Sequence, residues 1–105
     1  MNAQEPAGSF DARTNTLVLG GEWDFASKDE LHDLADQIDP KLTATLDLID
    51  VTFIDSSVIN EIVRTHNRLK AGDVRLRVLI GDDRLARLLN VCGIDRVVDV
   101  ERGTH

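Results

Sequence analysis

Two apolar periods take turns along this chain, and that rotation leaves few folds open to it. Val74, Leu76, Val78 and Ile80 recur at every second residue, the period of a strand, with Arg75, Arg77 and Leu79 between them. Leu31, Leu34, Ala35 and Ile38 recur instead at helical spacing, as do Val58, Ile59, Ile62, Val63 and Leu69, and again Leu85, Leu88, Leu89 and Cys92. Strands with a short helix between them are joined by crossovers rather than hairpins, which places them parallel in one sheet. Only the start differs. Ser9 to Arg13 around Phe10 reads as an edge strand, Thr14-Asn15-Thr16 as a turn, and Leu17-Val18-Leu19 as a second strand that Gly20-Gly21 breaks or bulges. The expected order is β-β-α-β-α-β-α-β. Two arginines on one strand face mark that face as wet, so the chain is expected to be a two-layer α/β domain, its sheet mixed but mostly parallel, with helices on one face.

Local signals set the boundaries. Met1 to Gly8 carry Pro6, Gly8 and no apolar period, and read as a flexible lead-in to a single domain over 9–105. Ser27 with Glu30 has the spacing of a capping box for the first helix, and Asp39-Pro40 stops it. Thr43 to Ile49 is the third strand, and Phe53-Ile54 leads to a helix opening at Asp55-Ser56-Ser57. Gly72 stands where a left-handed C-terminal cap is wanted, Asp82 or Asp83 caps the third helix, and Gly93 ends it with Ile94 packing back. Val97, Val98 and Val100 make the last strand.

Charge narrows the function. The chain of 105 residues holds 19 acidic and 12 basic side chains, a net charge of −7, which argues against a nucleic-acid or anionic membrane surface. No apolar run approaches the ~20 residues of a membrane helix. The lone Cys92 forms no internal disulfide, and without a leader-like start the expectation is a cytoplasmic protein. His32, His66 and His105 are scattered without cysteine partners, so no metal site is expected.

The informative stretch is Leu46 to Asn60, where a strand feeds a helix whose first turn carries two hydroxyls. Unsatisfied N–H groups and the positive end of the helix dipole gather there. A phosphate on such a hydroxyl is tolerated by the helix and adds about −1.5 to −2 charge to the surface. Such a change would alter what the surface binds without altering the architecture. Asp, Ser and Ser are also the commonest capping residues, so the triplet alone does not separate a switch from a cap.

Three segments together resemble the STAS domain of bacterial anti-sigma factor antagonists and of the cytoplasmic part of sulfate transporters. Leu46 to Ile59 resembles the family's strand followed by D-S-S-G, Gly21-Glu22-Trp23-Asp24 its G-E-x-D, and Gly72 to Val100 its second half with the run Gly93-Ile94-Asp95-Arg96-Val97-Val98. The resemblance implies an antagonist that binds an anti-sigma factor, often a serine kinase, and is switched off when that kinase phosphorylates Ser57. A phosphatase reverses the step. The antagonist is itself the substrate, so no enzymatic activity and no cofactor are implied. The implied partner-binding face comprises Glu22, Trp23, Asp24, Asp55, Ser56, Ser57, Val58 and Asn60. The same resemblance admits an alternative, an unphosphorylated accessory subunit of a lipid or anion transporter. Val58 stands where the family has glycine, and a branched side chain there is expected to crowd the acceptor. Only Glu101 to His105 follow the last strand, so the family's C-terminal helix is not expected.

Other residues have plainer readings. Trp23 is either an exposed interface anchor or a cover over the end of the core. His66 reads as a partly buried packing residue and Cys92 as a small buried hydrophobe. Asp47, Asp50 and Asp55 are not expected to converge on a catalytic site, and no lysine or histidine lies among them.

Overall fold

The computed structural model describes residues 5–105. Five strands form one sheet in chain order: β1 (Ala7–Asp11), β2 (Thr16–Trp23), β3 (Ala44–Ile54), β4 (Leu76–Ile80) and β5 (Asp99–Arg102). The β1–β2 pair is antiparallel and the other three pairs are parallel. Helices α1 (Lys28–Ala35), α2 (Ser56–Lys70) and α3 (Asp83–Val91) make the crossovers. Because every crossover steps to the next strand in the same direction, right-handed connections put all three helices on one face. The expected two-layer α/β fold is therefore the observed one.

Period-2 alternation sorts the strands. Leu17 and Leu19 of β2, Ala44, Leu46 and Leu48 of β3, and Leu76, Val78 and Ile80 of β4 are buried beneath Leu31, Ala35, Val58, Ile62, Leu69, Leu85 and Leu89 of the helices. The opposite face carries the polar positions. There Arg75 and Arg77 reach Asp99 and Glu101 at 2.7 and 3.0 Å, which explains how β5 tolerates its exposed acids. Gly81 marks where β4 leaves the sheet: a Cβ there would lie 2.2 Å from the Ile49 carbonyl oxygen.

A polar clamp holds the lower edge. Asn15, in the β1–β2 turn at φ 53°, is 4% exposed and donates to the carbonyls of Asp39, Leu42 and Thr43 while accepting from the Asp39 N–H. The turn residue thus satisfies the backbone of the loop that returns from α1 to β3. On the helical layer, Glu61 of α2 receives Arg64 at 2.7 Å and His32 of α1 at 3.3 Å, and Arg64 also reaches Asp36 at 2.6 Å.

Several boundaries differ from the expected ones. Strand β1 starts at Ala7, inside the segment read as a lead-in; residues 1–4 of that segment lie outside the described residues. The capping box belongs to Asp24 and Ser27, not to Ser27 and Glu30. It closes a 3-10 turn at Phe25–Ser27, and because the Ser27 hydroxyl accepts from the Asp24 N–H it makes no cap for α1. Strand β3 runs on to Ile54, its polar positions Asp50 and Thr52 lying in the strand rather than in a connection. Asp73, at φ 64°, takes the left-handed position expected of Gly72. Its N–H reaches the Lys70 carbonyl while that of Val74 reaches Leu69. Val63 is exposed because it falls off the edge of the α2 stripe. Cys92 is exposed too: α3 ends at Val91, and Ile94, in a 3-10 turn at Ile94–Arg96, takes the buried place instead. The final strand begins at Asp99, after Val97 and Val98.

Candidate functional site

The site is built at the C-terminal edge of the sheet, where β3 hands over to α2. Asp55 is the extended residue between them, with φ −121° and ψ −169°. Its Oδ1 accepts from the Ser57 N–H at 2.8 Å, the ordinary N-terminal cap. Its Oδ2 accepts from the Phe25 N–H at 3.0 Å, thirty residues earlier. One carboxylate therefore starts α2 and also fixes the turn that follows β2. Asp24 caps that turn in the same manner, its Oδ1 accepting from the Ala26 N–H at 2.9 Å.

Between the two capped starts lies an open cleft of about 530 Å³, lined by Phe25, Lys28, Asp29, His32, Ser56, Ser57, Asn60 and Glu61. Ser56 is exposed and Ser57 half-buried at its wall. Neither hydroxyl makes a hydrogen bond among the described residues; only the Ser57 backbone is engaged. Phe25 is 68% exposed, with the Lys28 ammonium 5.0 Å from its ring centre, a cation–π contact that holds the ring at the rim. Phe53, 48% exposed near the end of β3, lies against a second, smaller cleft of about 210 Å³ with Thr52, Asp82 and Arg84.

Ser56, Ser57 and Asn60 thus meet in one place as expected, with Asp55 behind them as the cap. Asp24 and Glu22 stand beside the cleft rather than in it. Asp24 is spent on its own turn, and the half-buried Glu22 pairs across the ladder with Phe53. Two residues expected on the binding face belong to the core. Trp23 is fully buried and donates its indole N–H to the Gly20 carbonyl at 2.9 Å. The last position of β2 points inward, which settles its role as the cover over the core. Val58 is 1% exposed, because the third helical residue faces the sheet. Its branched side chain therefore fills the interior and does not crowd Ser57.

Composition did not reveal Phe25 and Phe53 as exposed rings. Phe53 read only as part of an apolar lead to the helix; strand alternation, carried through Ile54, would have turned Phe53 outward.

The acidic trio divides differently from expectation. Asp47 and Asp50 do converge, through a group from the far end of the chain: the His105 ring sits 2.9 Å from Asp47 Oδ2 through Nε2 and 2.8 Å from Asp50 Oδ2 through Nδ1. Both carboxylates hold the imidazole above its usual titration range by hydrogen bonding to its charged form. Asp55 takes no part. No group of three or more histidine, cysteine, aspartate or glutamate side chains suited to a metal ion occurs among the described residues, and no described helix is long and apolar enough to cross a membrane.

Residues 10–105 match the family model of the STAS domain, and the chain belongs to that family. Among solved structures, the fold is similar to the anti-sigma factor antagonist SpoIIAA in its unphosphorylated form, at 17% identity and TM-score 0.75, over 94% of this chain and 90% of that one. The phosphorylated form of SpoIIAA, a Bacillus cell fate determinant, gives 16% identity and TM-score 0.69 over 94% and 93%. A putative anti-sigma factor antagonist from Thermotoga maritima gives 16% identity and TM-score 0.71 over 91% and 85%. None of the curated proteins compared with the chain matches it.

Proposed function

We propose that this chain is an anti-sigma factor antagonist acting in the cytoplasm, and that phosphorylation of Ser57 by a partner serine kinase switches its binding off until a phosphatase restores it. The observation that carries the reading is the state of the two hydroxyls. They line a cleft at the start of a 15-residue helix, yet neither is used to hold the fold together. A phosphoester on Ser57 breaks no native hydrogen bond and lies near the positive end of α2, so the scaffold survives it. The surroundings carry Asp29, Asp55 and Glu61, of which Asp29 is paired with Lys28 and Glu61 with Arg64, so about −2 more charge makes the cleft net acidic. An unmodified partner surface fitted to neutral hydroxyls and to the Phe25 ring then meets repulsion and a desolvation cost. The antagonist contributes the hydroxyl, and the kinase and ATP the chemistry.

The test pairs Ser57→Asp with Ser57→Ala against the anti-sigma partner in a calorimetric titration. Ser57→Asp is expected to weaken binding about tenfold or more, since like charges at an interface cost several kcal/mol, with an unchanged far-ultraviolet spectrum. Ser57→Ala is expected to bind and to accept no phosphate on the Ser56–Ser57 peptide. Equal affinity of the aspartate variant, or undiminished transfer to the alanine variant, overturns the reading.

A further inference from the structure

At the other end of α2 lies a third cleft, which the proposed switch does not use. It measures about 440 Å³ and is lined by His66 and Lys70 of α2, by Asp73, Val74 and Arg75 of the following loop, and by Arg96 and Val97 at the close of the third crossover. In a chain of net charge −7, the end of α2 with its following loop and the distant Arg96–Val97 bring three cations and a histidine to one hollow. Arg75 gives its charge to Asp99 at 2.7 Å. Lys70 and Arg96 enter no ion pair among the described residues, although most arginines of this protein do. The Nδ1 atom of His66 is enclosed and meets no hydrogen-bonding group of the protein. Val74 is half-buried and Val97 36% exposed, giving the hollow an apolar wall. Asp73 is the one carboxylate in its lining.

From this arrangement we infer that the cleft is a binding site for a small organic phosphate, a monoester dianion with an apolar portion. Apart from Asp73 and the paired Arg75, the lining has counterparts in such a ligand. The Arg96 guanidinium presents a planar fork that matches phosphate oxygens, and Lys70 a point charge beside it. Two unpaired cations balance one dianion. The half-buried His66 ring forms part of the wall beside the apolar residues, its enclosed Nδ1 closed to the hollow. The volume falls in the range of small-molecule sites and exceeds what a bare phosphate fills, leaving Val74 and Val97 to cover an apolar group. This site stands apart from the reading of Ser57, since it lies at the C-terminal end of the helix whose N-terminus carries the hydroxyls.

Phenyl phosphate serves as the probe, titrated at millimolar concentration into the ¹⁵N-labelled chain at constant ionic strength, with inorganic phosphate and a glutamate-rich peptide in parallel. The expected result is saturable shifts of the His66, Lys70, Val74, Arg96 and Val97 amides and of the His66 ring nitrogens. Inorganic phosphate should bind more weakly at the same residues. The exposed double variant Lys70→Gln/Arg96→Gln should raise the dissociation constant about tenfold or more, as loss of charge-assisted hydrogen bonds requires. Absence of shifts, or shifts that persist in the double variant, overturns the proposal. Binding of the acidic peptide alone overturns it in favour of a protein partner at this face.

Discussion

Replacing Asp55 separates its two duties, because each oxygen serves a different N–H. In Asp55→Asn the side-chain carbonyl still caps the Ser57 N–H, and asparagine is as good a cap as aspartate. The amide nitrogen that replaces Oδ2 cannot accept from Phe25, so one hydrogen bond to an ionised group is lost. That bond lies at the surface, where water replaces it, so the loss is about 1 kcal/mol. In Asp55→Ala the cap is lost as well, another ~1 kcal/mol, for a total of about 2 kcal/mol. In a domain of this size that total lowers the thermal midpoint by roughly 10 °C, and the asparagine change by about half as much. Thermal unfolding followed by circular dichroism gives the sizes, and amide hydrogen exchange gives the cause. The Phe25 amide should lose protection in both variants, the Ser57 amide only in Asp55→Ala. If Asp55→Asn leaves Phe25 as protected as in the parent chain, the carboxylate does not tie the turn to the helix, and the shared anchoring of the cleft is refuted.

Two further outcomes follow from single contacts. Trp23→Phe removes the donor to the Gly20 carbonyl and leaves a gap in the core, at a cost of about 2 kcal/mol read from urea unfolding; a neutral result would mean that the indole bond contributes nothing. His105 is held above its ordinary pKa of 6.5 by Asp47 and Asp50, so its contribution to stability is complete below that pH and fades as pH rises through the higher folded value. His105→Gln should abolish that part of the pH dependence, checked by comparing unfolding midpoints of the two chains across neutral pH; parallel curves would remove the latch.

The rotation of periods was enough to give layer, order and strand direction, because each crossover helix shows its stripe to the sheet. What escaped was any decision that rests on competition for one atom. Ser27 can head one capping frame or close another, and which one wins depends on Asp24, whose N–H donates to the Ser27 hydroxyl. Asp73 rather than Gly72 turns left-handed, since aspartate tolerates that region and the residue count from Leu69 decides which position needs it. Cys92 keeps the helical spacing of Leu85 and Leu89, yet the helix closes one residue too early for the spacing to bury it. The cleft was legible in half. Its serines declare themselves as a cap, whereas Lys28, His32 and Glu61 join them only through the packing of α1 on α2.

Val58 shows how a departure from a family pattern can be moved from surface to core. In the family pattern that the chain resembles, glycine follows the serine pair; here the position carries a side chain that is 1% exposed beneath the first turn of α2. Its neighbours there include Leu17, Leu19, Leu31, Leu46 and Ile62, from both layers. Restoring glycine removes the buried side chain, about 2 kcal/mol, and adds backbone freedom in a helix, about another 1 kcal/mol. Val58→Gly should therefore lose about 3 kcal/mol in urea unfolding yet leave the affinity of the folded chain for an anti-sigma partner unchanged, because the residue offers that partner no surface. A stable variant whose binding changes would reverse both statements: valine would then be shaping the approach to Ser57, not the packing under it.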